Sequence, residues 1–321
     1  MTRLISVAIP VRNGADVLDQ TLAGVRAQRL DQSASIELVV CDSASHDGSV
    51  SIARSYGADI IEIPVEQFSH GQTRNMLMRR TQGDHVAFLT QDAVPADQGW
   101  LECLLGAFTL APDVALAYGP YQPRDDASPI VARELTEWFE SFAPDGGMRI
   151  ERLAPSELTI PATVLQGVRG FFTDANGCLA RAAWEDVPFR PIPYAEDRAL
   201  ALDMLRAGYA KVYVPRAPVI HSHGYSMIDW LRRSFDEARA VRDVYGYIEP
   251  ADIRRNALNI WGKVGADLRW ARAHGGLRSP ALIARSLPHH VLRTAGALLG
   301  AHAAVLPESV VRALSLEGRA G

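Results

Sequence analysis

The sequence predicts an α/β fold, a mainly parallel central sheet flanked by helices, followed by a C-terminal helical region. Three observations carry that expectation. Short apolar runs at residues 4–11, 36–41 and 86–89 each end abruptly in polar residues, which is how buried parallel strands read. Segments with helical apolar spacing separate them, as βαβ units require. From Ser226 onward the strand signal stops and long helical patterns replace it.

Taken in order, residues 4–11 form the first strand, and Leu18, Leu22 and Val25 recur at helical spacing. The run 36–41 is a second strand, followed by a helix near 49–56 that Gly57 ends. Residues 59–64 make a third strand, 73–80 a helix, 86–89 a fourth strand, 100–110 a helix and 114–118 a fifth strand. Residues 121–165 are proline-punctuated, with a helix expected at 131–142, and such long connections carry function or mobility. Further strands are expected at 171–179 and 212–214, with a helix at 197–207 between them ended by Gly208. Helices at 227–245, 251–273 and 281–301 complete the chain. The change of texture near 224–226 divides it into residues 1–225 and 226–321.

With 321 residues and 48% hydrophobic content, a sizeable core is available. The net charge of −4 excludes a global nucleic-acid signature. Its distribution is uneven: residues 251–321 hold ten Arg or Lys against four Asp or Glu, a net +6, leaving −10 upstream. Three scattered cysteines without a CxxC are neither a disulfide framework nor a zinc site, and fit a cytoplasmic setting. The opening residues read as strand rather than signal peptide. The most apolar stretch, 294–306, holds His302 and stops at Pro307, so no membrane span is expected.

In open α/β sheets, ligands bind outside the carboxyl ends of the strands. Asp42 stands just past the second apolar run, and Thr90-Gln91-Asp92-Ala93-Val94-Pro95 just past the fourth. Such an edge suits holding a nucleotide and a metal. His221 follows the apolar 218–220 at once and is preferred over His223 as a metal ligand, since neutral imidazole suits Mn²⁺. Ordered along the chain with Ala8-Ile-Pro-Val-Arg-Asn-Gly14, Arg74-Asn75 and Glu196-Asp197, these motifs resemble a family 2 glycosyltransferase over residues 4–226. His70-Gly71 and the Thr-Gln-Asp-Ala-x-Pro run are similar to a rhamnosyltransferase-like subset.

The resemblance implies a GT-A fold with a nucleotide-binding half at 1–95 and an acceptor and catalytic half at 96–225. It implies that Pro10, Val11, Arg12 and Asn13 contact the nucleotide, that Asp42 accepts from the pyrimidine N3–H, and that Arg74 and Gln91 serve the donor. Asp92 takes the place of the second Asp of a metal-binding Asp-x-Asp, with Thr90 in the first. Asp92 and His221 would hold Mg²⁺ or Mn²⁺ against the donor pyrophosphate. Asp197 is implied as general base, with Asp174, Asn176 and Glu196 facing sugar or acceptor hydroxyls. Local chemistry offers a plainer alternative for each: Asp42, Asp174 and Asn176 as turn residues, Arg74 as a solvated helix-start residue, Asp197 as a helix-terminal acid.

The implied activity is inverting transfer from a nucleotide-diphospho-sugar, with dTDP-L-rhamnose as donor, to a surface glycan or polyprenyl-linked acceptor at the inner face of the plasma membrane. A nucleotidyltransferase is the rival enzyme, but Arg12-Asn13-Gly14 is short for a triphosphate loop. An inert glycan- or nucleotide-binding module is the other rival. In the basic tail, Arg254, Arg255, Arg269, Arg272, Arg278, Arg285 and Arg293 punctuate apolar helical stretches. That pattern suits peripheral contact with anionic membrane; packing on the core or on a second copy, as a homodimer, is the alternative.

Overall fold

A computed structural model of the protein describes residues 3–274 and 280–316. Its strands are β1 (Arg3–Val11), β2 (Ala34–Ser43), β3 (Asp59–Ile63), β4 (His85–Leu89), β5 (Val94–Pro95), β6 (Val114–Tyr118), β7 (Tyr121–Gln122), β8 (Arg149–Glu151), β9 (Asn176–Ala180), β10 (Ala210–Tyr213) and β11 (Val219–Ile220). Its α-helices are α1 (Leu18–Arg26), α2 (Ser49–Ser55), α3 (His70–Arg80), α4 (Trp100–Gly106), α5 (Pro129–Glu140), α6 (Ala162–Leu165), α7 (Arg181–Asp186), α8 (Glu196–Arg206), α9 (Met227–Tyr245), α10 (Ile253–Ala273), α11 (Pro280–Ala301) and α12 (Glu308–Leu314).

The chain divides into two compact units. The first comprises residues 1–122, 138–160 and 167–221; the second comprises 123–137, 161–166 and 222–321. The expected division at 225/226 lies close to the break after His221. Two segments depart from it: 123–137 and 161–166 group with the C-terminal helices rather than with the sheet.

In the first unit an eight-stranded sheet runs β3-β2-β1-β4-β9-β6-β10-β8. β1 pairs in parallel with β2 and β4, β2 with β3, and β6 with β10. β9 lies antiparallel between β4 and β6, and β8 antiparallel beside β10. The apolar runs of β1, β2 and β4 are buried because helices cover them: Ile5, Val7, Ile9, Val40, Ala87 and Leu89 pack with Leu18, Leu22, Val25, Trp100 and Leu104. A small sheet, β5-β11-β7, sits apart.

Three expectations need correction. The strand expected at 171–179 exists only from Asn176, because the chain turns at Asp174 and Ala175 and leaves Phe171 to Thr173 without strand pairing. The helix expected at 131–142 is Pro129–Glu140, beginning on a proline suited to the first turn. The helix expected from Thr73 begins at His70.

The second unit is helical. The Ser226 hydroxyl caps α9 by accepting from the Asp229 N–H at 3.2 Å, and Asp252 caps α10 through the Arg255 N–H at 3.0 Å. Glycine lets α11 approach α9 closely: a Cβ on Gly296 or Gly300 would meet the Leu231 or Phe235 carbonyl oxygen at 2.1 Å. A buried polar knot joins the segment 129–137 to α10 and α11. Asp267 accepts from Arg133 Nε at 2.5 Å and faces His290 Nε2 at 2.8 Å, while Arg293 Nη1 reaches Glu134 at 2.5 Å. Among the described residues no helix is long and apolar enough to cross a membrane.

Candidate active site

The loops after β1 and β2 lock together through backbone N–H donors. Asn13, in a left-handed conformation (φ 47°), donates its N–H to Ser45 Oγ at 2.9 Å, and its side-chain oxygen accepts from the His46 N–H at 2.9 Å. Gly14 N–H donates to Ser49 Oγ and Ala15 N–H to Asp47 Oδ2. Pro10 and Val11 lie in register with Cys41 and Asp42, and the Val11 side chain belongs to the core. Arg12 stays exposed.

Asp42 ends β2 at 2% exposure. Its Oδ2 accepts from the Ser45 N–H at 2.9 Å, while Oδ1 is buried with no hydrogen-bond partner. A buried acceptor left unmade carries a desolvation penalty of about 1–3 kcal/mol. Thr90 Oγ1 is likewise buried and unpartnered. Gln91 is tied to the backbone of the first loop. Its Oε1 accepts from the Arg12 N–H at 2.8 Å and its Nε2 donates to the Arg12 carbonyl at 3.2 Å. Gln91 therefore braces the first loop through both atoms of its amide.

Asp92 Oδ1 lies 3.4 Å from His221 Nδ1, and the His221 ring meets Tyr121 edge-on at 4.9 Å. The His221 N–H donates to the Gln122 carbonyl at 2.9 Å, fixing the end of β11. A carboxylate oxygen and an imidazole nitrogen at that separation form a donor pair suited to a divalent cation such as Mn²⁺. His223 belongs to the second unit, where its ring stacks on Tyr225 at 4.8 Å.

A second constellation surrounds Arg74, 2% exposed. Its Nε lies 2.5 Å from Asp174 Oδ2 and its Nη1 3.0 Å from Glu196 Oε1. Both acids are buried, and His70 Nδ1 stands 3.9 Å from the Glu196 carboxylate. Arg74 is therefore the cationic centre of a buried acid cluster, with Asp174 and Glu196 as its counter-ions. Asn176 is engaged by the fold as well: its Oδ1 accepts from Trp100 Nε1 at 2.8 Å, and its Nδ2 donates to the Pro120 and Ala217 carbonyls.

Asp197 follows at the first turn of α8, which the left-handed Ala195 (φ 59°) introduces. Its Oδ1 accepts from the Arg198 N–H at 2.7 Å. Burial, and then the Asp174 charge, raise the Asp197 pKa to about 6 against the pull of Arg198 and Arg74. Burial and the Glu196 charge push Asp174 up as well, opposed by Arg74. Asp174 and Asp197 therefore both hold their protons to a higher pH than ordinary carboxylates.

The motifs that include Asn75 and Gly71 carried no role for these two residues, which hold the loop before Asp197. Asn75 Oδ1 accepts from Trp184 Nε1 at 2.8 Å and from the Phe189 N–H at 3.1 Å, and its Nδ2 donates to the Phe189 carbonyl at 2.9 Å. A Cβ on Gly71 would fall 2.2 Å from the Arg190 carbonyl oxygen. The signal available was the Gly-x-x-Arg-Asn spacing itself, which puts three unlike residues on the first turns of one helix.

Comparison with known proteins adds three findings. Residues 6–162 match the family model described as glycosyl transferase family 2. The chain is 28% identical to the O-antigen chain rhamnosyltransferase RfbN of Salmonella typhimurium over 72% of its own length and 70% of that protein's. It is 32% identical to the O-antigen chain rhamnosyltransferase WbaN of Salmonella anatum, over 62% and 61% respectively. Among solved structures, a mannosyltransferase from Pyrobaculum calidifontis in complex with GDP-Man and Mn²⁺ superposes with a TM-score of 0.57 at 20% identity. That match covers 94% of this chain and 86% of the other. At that identity the likeness concerns the fold.

Proposed function

We propose that this chain, whose residues 6–162 match the glycosyl transferase family 2 model, is a GT-A glycosyltransferase of that family that transfers L-rhamnose from dTDP-L-rhamnose, with inversion, to a hydroxyl of a surface glycan or polyprenyl-linked acceptor. The two O-antigen rhamnosyltransferases support the sugar. Asp42 carries the donor assignment: a buried carboxylate oxygen without a partner suits the N3–H of thymine or uracil.

In this reading Asp92 and His221 hold a Mn²⁺ or Mg²⁺ ion, a use of metal that the Mn²⁺ in the mannosyltransferase complex supports. When bound, the ion supplies neutralisation of the diphosphate charge. The backbone of Pro10 to Asn13, held by Gln91 and Ser45, lines the nucleotide within residues 1–95. Asp197, in the half 96–225, takes the proton of the acceptor hydroxyl. The acceptor oxygen then bonds to C1 of the sugar as the bond from C1 to the diphosphate oxygen breaks, and the nucleoside diphosphate leaves with the electron pair. With a pKa of about 6, Asp197 is ionised at neutral pH yet more basic than an ordinary carboxylate. No protein nucleophile is needed. The setting that fits is cytoplasmic, at the inner face of the plasma membrane.

A thermal-shift panel of nucleotide sugars with and without Mn²⁺ tests the assignment, since a ligand that binds only the folded state raises its stability. The expected result is the largest upshift with dTDP-L-rhamnose plus Mn²⁺, lost in Asp92→Ala. An upshift with GDP-sugars and none with thymidine or uridine compounds would overturn the donor reading.

A further inference from the structure

Helix α10 has two unlike faces. Asn256, Val264, Asp267 and Ala271 are buried. On the opposite side, Arg254, Leu258, Trp261, Gly265, Arg269 and Arg272 follow one another at steps of three and four, which aligns them in one stripe. Large apolar groups stand open on that stripe. Leu258 is 73% and Trp261 60% exposed, and Ile253 at the helix entry is 84% exposed. Arg254, Arg255, Arg269 and Arg272 are exposed around them.

The stripe carries no carboxylate. The acid within α10, Asp267, is 1% exposed and engaged by Arg133 and His290, and the capping Asp252 accepts from the Arg255 N–H. A helix whose outer face had only to meet water would place polar groups there. Here a Leu and a Trp stand between arginines, the composition of a helix lying in the plane of a bilayer interface, with Trp at headgroup depth and cations toward anionic lipid. A bare polyanion such as duplex nucleic acid would satisfy the arginines and leave Leu258, Trp261 and Ile253 in water.

We propose that the outer face of α10, from Arg254 to Arg272, docks on an anionic lipid bilayer. This narrows the broader expectation drawn from the basic tail. Arg293 is not part of the surface, because it reaches Glu134 and stands over the Trp230 ring at 5.0 Å. Arg278 lies outside the described residues. The inference deepens the reading of a membrane-borne acceptor, but its test contains neither donor nor acceptor, so the failure of one is distinguishable from the failure of the other.

The experiment is co-sedimentation of the full chain with phosphatidylcholine vesicles, with and without phosphatidylglycerol, at low and high salt. Binding to the anionic vesicles should be at least about tenfold tighter, and should weaken as salt screens the arginines. Leu258→Ser/Trp261→Ser should lose at least about fivefold of that binding and keep its melting temperature. Trp261→Phe should retain most of the binding. Brominated lipid should quench tryptophan fluorescence less in Trp261→Phe than in the parent. Equal pelleting with neutral and anionic vesicles, or full binding by the Leu258→Ser/Trp261→Ser variant, overturns the proposal. So does a concentration-dependent dimer that Trp261→Ser abolishes, which would make a second copy the occupant, or tighter binding to duplex DNA than to anionic vesicles.

Discussion

Two polar regions of the sheet-bearing unit are built on opposite plans. At the ends of β1, β2 and β4, loops are tied by backbone N–H groups to Ser45, Ser49, Asp47 and Gln91, and the buried Asp42 Oδ1 and Thr90 Oγ1 stay without a partner. Around Arg74 the carboxylates of Asp174 and Glu196 lie within 2.5 to 3.0 Å of a single guanidinium. The first region keeps hydrogen-bonding capacity for something else. The second uses its capacity on itself, and what it gives the site is position and electrostatics. Arg74 holds Glu196 at the start of α8, and the neighbouring Asp174 charge helps lift the Asp197 pKa.

The largest effect expected from this contrast is on stability. Arg74→Met leaves Asp174 and Glu196 buried without their counter-ion, and breaking a buried pair in this way costs about 3–5 kcal/mol. Urea unfolding measures it; a loss under about 1 kcal/mol, the range of a solvated surface pair, would mean that Arg74 is not the centre of the cluster. Asp197→Asn should leave folding and donor binding intact while slowing transfer at least about a hundredfold, the contribution of a positioned general base. Turnover within a few-fold of the parent would reduce Asp197 to a helix-terminal acid.

The contrast also explains what the sequence made legible. The places of Asp42 and Asp92 at strand ends could be read because each follows an apolar run, and the end of a parallel strand is a position that local sequence encodes. The cluster could not be found that way. Arg74, Asp174 and Glu196 lie far apart in sequence, so nothing local tells a buried counter-ion from a ligand. Strand direction is also silent: 176–180 reads as an apolar strand whichever way it runs, and it runs antiparallel between β4 and β6. The hydrogen bonds of Asn176 were illegible for a related reason, since its partners Trp100, Pro120 and Ala217 come from three separate segments. Helical periodicity, by contrast, gave Met227–Tyr245 to the residue, because a long amphipathic helix repeats its signal over many turns.

A smaller effect falls on the open region. Asp42→Ala removes the unpaired acceptor with its burial penalty but also the bond from the Ser45 N–H; the two offset, so the free protein should match the parent to within about 1 kcal/mol. Donor affinity should drop about tenfold, the worth of one hydrogen bond to a charged acceptor. Isothermal titration with dTDP and Mn²⁺ reads both the constant and its dependence on Asp42. A variant that binds as tightly as the parent would place the pyrimidine elsewhere.

The smallest expected effect is a divergence between activity and stability with pH. The Asp197 pKa, about 6 in the folded protein, exceeds the roughly 3.9 of an unfolded Asp. Between those values the folded state binds the proton that the unfolded chain has released. Its stabilising contribution is therefore complete below about pH 4 and is lost as pH rises through 6. Catalysis needs the ionised carboxylate, so turnover should climb across the upper part of that interval and level off above it. Asp174, whose pKa is also raised, adds to the stability slope but not to the activity limb. Asp197→Asn separates the two: its residual activity should lose the limb near pH 6, while part of the stability slope persists through Asp174. Melting temperatures and single-turnover rates measured from pH 5 to 8 on both proteins decide the matter. An unchanged limb in the variant would assign the titration to another group and leave Asp197 outside the proton transfer.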